Sequence, residues 1–242
     1  MTFAKPAVSA EVWDAADQMT IRVHYFDAGK LFGRSMATIR RTLVDAVAHV
    51  EDRSTLADVD VVVQPLDSGR DQFPIAAFTM GPHNIHIGIE RSQLRGDDME
   101  ADLFRAAVHE MHHALRWRHR GPIWTVGEVV VLEGLALLAD TAAAGPDDET
   151  DRPLTDPGAA LQKLDRIRAE PLSAHRHWLY SSEDSQPGGP ERVYSLGRLV
   201  LGAALEAIDA DPWQAATMRA DDLLSCGAAA LPGGGTPRRR SA

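Results

Sequence analysis

Cysteine is nearly missing from this chain. One residue, Cys226, occurs in 242, so no intrachain disulfide can staple the fold, and the thiol reads as a small buried apolar residue. Long apolar runs are missing as well. Nothing reaches the roughly 20 consecutive apolar residues that cross a bilayer, and the opening Met1-Thr2-Phe3-Ala4-Lys5-Pro6-Ala7 lacks the apolar stretch of a signal peptide. A cytoplasmic protein is expected. Positive charge is in short supply: 25 Lys and Arg stand against 35 Asp and Glu, a formal net charge of -10, which argues against general binding to nucleic acid or to an anionic membrane. There is no internal repeat, no phosphate-cradling loop and no Ser-His-Asp pattern of useful specificity. What the chain does have is 44% hydrophobic residues, enough to bury a full core in one large domain or in two subdomains.

The segment Val108-His109-Glu110-Met111-His112-His113 carries His-Glu-x-x-His in a stretch that reads as helix. Met99 to Ala107 leads into it with acidic residues early and neither Gly nor Pro. On a helix, positions i and i+4 share a face, about 6 Å apart along the axis. Two imidazoles so placed can share one metal ion, and zinc suits them because neutral imidazole nitrogen binds it at about 2.0–2.1 Å. Glu110, beside the first histidine, then stands where it can take a proton from metal-bound water without being a ligand itself. The alternative is a histidine-rich helix making polar contacts in a core.

Gly121-Pro122 ends that helix, and Thr125-Val126-Gly127-Glu128 opens a second, apolar helical run through Ala143. Glu133 stands in the middle of this run. A carboxylate there needs a partner, because burying an unpaired charge costs several kcal/mol or forces its protonation. A metal ion is one such partner, and a salt bridge to one of the arginines is the other. Two helices joined by a short Gly-Pro connection are expected to pack face to face, with Gly134 allowing their backbones to approach and Glu133 reaching the histidine pair.

His109-Glu110-x-x-His113, followed 20 positions later by Glu133 in Glu133-Gly134-Leu135-Ala136, resembles the gluzincin arrangement of zinc metallopeptidases. More narrowly, His-Glu-x-His-His with a downstream Glu-Gly-Leu-Ala is similar to a bacterial family of predicted zinc-dependent proteases, over roughly residues 80 to 205. The resemblance implies that His109, His113 and Glu133 are zinc ligands and Glu110 the general base. It also implies a zincin-like α+β fold, in which the strand nearest the cleft accepts an extended peptide as a further strand.

The pattern along the chain agrees with an α+β reading. Residues 9 to 18 look like a short helix, and Met19 to Phe26 alternates as a strand with Ile21, Val23 and Tyr25 on one face. A turn follows at Asp27-Ala28-Gly29. Ser35 to Asp52 is amphipathic, with Met36, Ile39, Leu43, Val47 and Val50 at helical spacing. Val59 to Val63 reads as a second strand ended by Pro65, and Asn84 to Ile89 as a third. Asn84, Ile85, His86 and Ile87 are therefore the expected substrate-binding edge, with His86 facing either the cleft or solvent.

Residues 144 to 156 and 181 to 190 have the composition of polar loops, and 157 to 169 returns to helix. His175 and His177 compete for a metal-binding or proton-donating role, but an i, i+2 pair shares no helical face. In the helix opened by Glu191, Tyr194 stands one turn before Gly197. The resembled proteins have a Tyr-x-x-Gly segment in this place, where the phenol could donate to the oxyanion formed as water attacks a carbonyl, the alternative being a buried aromatic with a satisfied hydroxyl. Arg198 is a candidate for binding a substrate carboxylate. A short helix over 212 to 226 completes the fold.

The expectation is one zincin-like domain over 1–228, with a mixed N-terminal subdomain to about 122, a helical one from about 123, and a disordered tail over 229–242. Its expected activity is hydrolysis of a peptide or protein substrate with Zn2+ as cofactor. A metal-binding interaction module that cleaves nothing, and a hydrolase of non-peptide amides, are the alternatives.

Overall fold

The computed structural model describes residues 9–15, 19–67, 75–95, 98–145, 154, 156–180 and 192–231. Two compact units make up the chain, Met1–Arg118 and His119–Ala242.

Five strands form the sheet of the first unit: β1 (Ser9–Ala15), β2 (Met19–Tyr25), β3 (Val59–Leu66), β4 (Ile75–Gly81) and β5 (Asn84–Glu90). Their order is β1-β2-β3-β5-β4. The inner pairs β2–β3 and β3–β5 are parallel, and the outer pairs β1–β2 and β4–β5 are antiparallel. Because side chains alternate across a pleated strand, the register places Ile21 beside Val59 and Val61 beside Ile85 on one face. That face carries Ile21, Val23, Tyr25, Val59, Val61, Val63, Ile85, Ile87 and Ile89, all buried. β-Branched residues dominate it, as expected of strands that pack on a core.

Among the described residues two α-helices complete this unit, α1 (Met36–Glu51) and most of α2 (Met99–Arg120). The stripe read from the sequence is the one buried on α1, through Ile39, Leu43 and Val50. Arg41 pairs with Glu100 at 2.7 Å, and His49 meets Phe104 edge to face at 5.8 Å, so α1 and α2 are tied at two points. Farther along α2, the Arg118 guanidinium donates to the carbonyls of Ala57 and Pro82. Gly121 then takes φ +77°, where a side chain would be strained, and the helix stops.

Three expectations for this unit need correction. Residues 9–15 are a strand and not a helix, because Ser9 to Ala15 pairs in antiparallel register with Tyr25 to Met19, and a paired edge outweighs a weak local preference. Pro65 lies inside β3 instead of ending it. Val63 turns its carbonyl towards β2, accepting from Phe26 at 2.8 Å, so Pro65, two residues on, turns its missing N–H to the same side, beyond the last β2 pair at Tyr25–Val63. The third correction is a strand that the sequence reading passed over, β4. Its insertion beside β5 means that Asn84 to Ile89 is paired on both sides and is no edge.

The second unit is helical: α3 (Val126–Ala144), α4 (Pro157–Ile167), α5 (Leu172–Tyr180), α6 (Arg192–Ile208), α7 (Pro212–Ala215) and α8 (Ala220–Ala230). Thr125 opens α3 with a capping box. Its hydroxyl accepts from the Glu128 N–H, and the Glu128 carboxylate accepts from the Thr125 N–H at 2.9 Å. Val130, Leu135, Leu196, Val200 and Leu224 belong to one apolar core. The single helix expected over 212–226 is two helices, since Arg219 takes extended backbone (φ -68°, ψ 141°) and interrupts the helical ladder before α8. α8 runs to Ala230, two residues into the segment expected as tail. The rest of that tail from Pro232, the loop 181–190 and most of the loop 144–156 lie outside the described residues. Among the described residues no helix is long and apolar enough to cross a membrane.

Candidate metal centre

α2 delivers the histidines as its periodicity requires. His109 is half-buried and His113 is 6% exposed. Their rings meet edge to face with centroids 4.5 Å apart. Glu133, half-buried on α3, supplies a carboxylate, and ligand atoms of His109, His113 and Glu133 all lie within 4.8 Å of one another. Zinc held tetrahedrally at about 2.0–2.2 Å separates its ligand atoms by roughly 3.3–3.6 Å. Two imidazoles and one carboxylate are donors that suit zinc, and the trio is a group able to hold a metal.

Glu110 is not a member of the trio. The residue is 7% exposed, and a buried carboxylate needs a hydrogen-bond donor. The donor is Thr79 of β4, whose Oγ1 lies 2.7 Å from Glu110 Oε2 and 2.9 Å from the Glu110 backbone oxygen. Sequence reasoning missed Thr79 because it missed β4. The signal was present: Ile75 to Met80 is an apolar run closed by Gly81-Pro82-His83, immediately before an evident strand, which is the layout of a hairpin. Two alanines, which strands disfavour, weakened it.

Residues 39–224 match a family described as predicted Zn-dependent protease, DUF2268. The chain belongs to this family. No curated protein matches the chain. Among solved structures, an aminopeptidase N family protein from Idiomarina loihiensis resembles this DUF2268 chain with a TM-score of 0.49 and 12% identity, over 94% of the chain and 45% of that protein. The chain thus spans less than half the length of that neighbour.

The expected substrate edge is overturned in this DUF2268 protein. Ile85 and Ile87 are fully buried. Asn84 and His86 point to the opposite face of the sheet from Thr79, where His86 stacks on Phe78 with centroids 5.1 Å apart. On that same face His24 bonds Asp60 at 2.8 Å, and this hydrogen bond holds the Asp60 carboxyl below its ordinary range. On this side the sheet ends with β4, as it ends with β1 on the other, among the described residues.

Tyr194 lies in the first turn of α6, half-buried against the apolar core of the second unit, and Arg198 follows one turn later. Gly197, between them, meets α3: a Cβ built on Gly134 would lie 2.7 Å from the Gly197 Cα. The close approach expected of Gly134 is therefore made to α6. The competing histidines are accounted for on α5, with His175 bonded to Glu170 at 2.6 Å and His177 exposed.

Proposed function

We propose that the protein is a zinc-dependent peptidase of the gluzincin kind, in which His109, His113 and Glu133 hold the metal and Glu110 is the general base. The observation that carries this reading is the convergence of the three donor groups within 4.8 Å, next in sequence to a buried carboxylate that is not one of them. Zinc bound there would leave a coordination position for water and lower the pKa of that water towards about 7.

The chain supplies the rest. Glu110 takes the proton as water attacks the carbonyl and passes it to the leaving amine. Tyr194 donates to the oxyanion, a role worth about 3–4 kcal/mol where one donor is removed, and Arg198 pairs with a carboxylate of the substrate. An extended peptide pairs along the outer edge of β4, the strand whose Thr79 already touches Glu110.

Elemental analysis and cleavage of a diverse peptide library, with and without chelator, test the assignment. Glu110→Gln is expected to keep the metal and lose hydrolysis, whereas Glu133→Ala is expected to lose most of the metal. A fully active Glu110→Gln protein refutes the role given to that carboxylate. Chelator-insensitive partner binding with no cleavage would point instead to an interaction module, and cleavage confined to non-peptide amides to a different substrate for the same site.

A further inference from the structure

We propose that Thr79 is the positioning residue of the general base, one hydroxyl clasping both the carboxylate and the backbone carbonyl of Glu110 and so fixing how that carboxylate is presented to the attacking solvent molecule. This inference rests on the assignment of Glu110 as that base.

The hydroxyl has one proton and two acceptors, Oε2 at 2.7 Å and the main-chain oxygen at 2.9 Å. The bond to the ionised group is the stronger of the two, being charge-assisted. Since both acceptors belong to Glu110, a hydroxyl held between them fixes how the side chain folds back along α2. A flexible side chain with three rotatable bonds becomes a set one. With Oε2 engaged by Thr79, Oε1 is the oxygen given the proton in this proposal.

The strand is built to hold this hydroxyl in place. Thr79 has the parity of Ile75 and Ala77, whereas Ala76, Phe78 and Met80 face out, Phe78 and Met80 with 51% and 62% exposure. It pairs with Ile85, and the register then shifts before Gly81 pairs with Asn84. A bulge at this point re-aims the strand directly after the residue that reaches α2. This end strand of the sheet therefore both presents an outer edge and orients the base, which gives a peptide docked on β4 a direct line to Glu110.

The test uses Thr79→Val, which keeps the shape and removes the hydroxyl, with Thr79→Ala as a parallel variant that needs no room for a branch. Measured on the best-cleaved member of a quenched-fluorescent peptide library, both are expected to lower kcat about 10- to 100-fold, the scale on which a misplaced catalytic group fails. KM should stay within about twofold and the zinc content unchanged, while Thr79→Ser should return kcat to within about threefold. Placed in a Glu110→Gln background, Thr79→Val should cause no further loss, which a merely structural role would not give.

A Thr79→Val enzyme with wild-type kcat beside an inactive Glu110→Gln enzyme overturns the positioning role alone. A fully active Glu110→Gln enzyme overturns the base assignment beneath it. A crystal structure of zinc-loaded Thr79→Val decides the matter even if no peptide is cut: the Glu110 carboxylate is expected to leave its present rotamer, and a carboxylate found in its original place overturns the proposal.

Discussion

Gly134 on α3 and Gly197 on α6 stand so close that neither has room for a methyl group. A Cβ on Gly134 would come within 2.7 Å of the Gly197 Cα, and one on Gly197 within 2.8 Å of the Val130 carbonyl oxygen. The obstacles are backbone atoms, which cannot swing aside. Glu133 and Tyr194, the two residues of this unit proposed for the site, sit one position before Gly134 and one turn before Gly197, so the crossing sets the spacing of both.

Gly197→Ala is therefore expected to destabilise the protein despite the better helix propensity of alanine. Overpacking costs about 1–3 kcal/mol, against a gain of at most about 1 kcal/mol from propensity. Gly202 on the same helix has no neighbour within 4 Å of the place a methyl would take, so Gly202→Ala should be neutral or stabilising. Urea midpoints of the two variants check this, and equal shifts would mean that the crossing is looser than described.

Zinc should stabilise the folded protein, because an ion bound by groups far apart in sequence binds the native state preferentially. Saturation at 100 times the dissociation constant corresponds to about 2.7 kcal/mol. Thermal unfolding with and without chelator should show the shift in the wild type and little or none in Glu133→Ala. A wild-type curve that ignores both zinc and chelator would remove the metal site.

His49 links stability to pH. Burial pushes its imidazole below the ordinary 6.5, and nearby Arg53 adds to the effect. The unfolded chain then binds the proton more readily than the native state, so the contribution of His49 is fully present above about 6.5 and is lost as pH falls through that value towards the lower folded one. His49→Gln should flatten the fall in unfolding free energy across this window. An unchanged slope would assign the acid sensitivity to other groups.

The legible parts of the structure were those whose signal is local. The stripe of α1, the capping box of Thr125 and Glu128, and the alternation of β2 and β5 each follow from residues within one or two turns, or one strand, of each other. β4 leaves little local signal, because its alanines are poor strand formers and its stability comes from pairing with β5. β1 leaves none, because the residues that make it a strand are on β2. The position of the sheet's edge is likewise not local: whether a strand is an edge depends on its neighbour, and the neighbour of β5 is β4.

By itself the sequence determined the donor types and the spacing of His109, Glu110 and His113, since a helix closes its hydrogen bonds within four residues and sets the i, i+4 face without outside help. Only the tertiary structure decided that Thr79 would hold Glu110, that Gly134 would meet Gly197, and that the Glu133 carboxylate would come within reach of two imidazoles. Those relationships join segments tens of residues apart, and the burial and pairing that bring such segments together are a property of the whole packed chain.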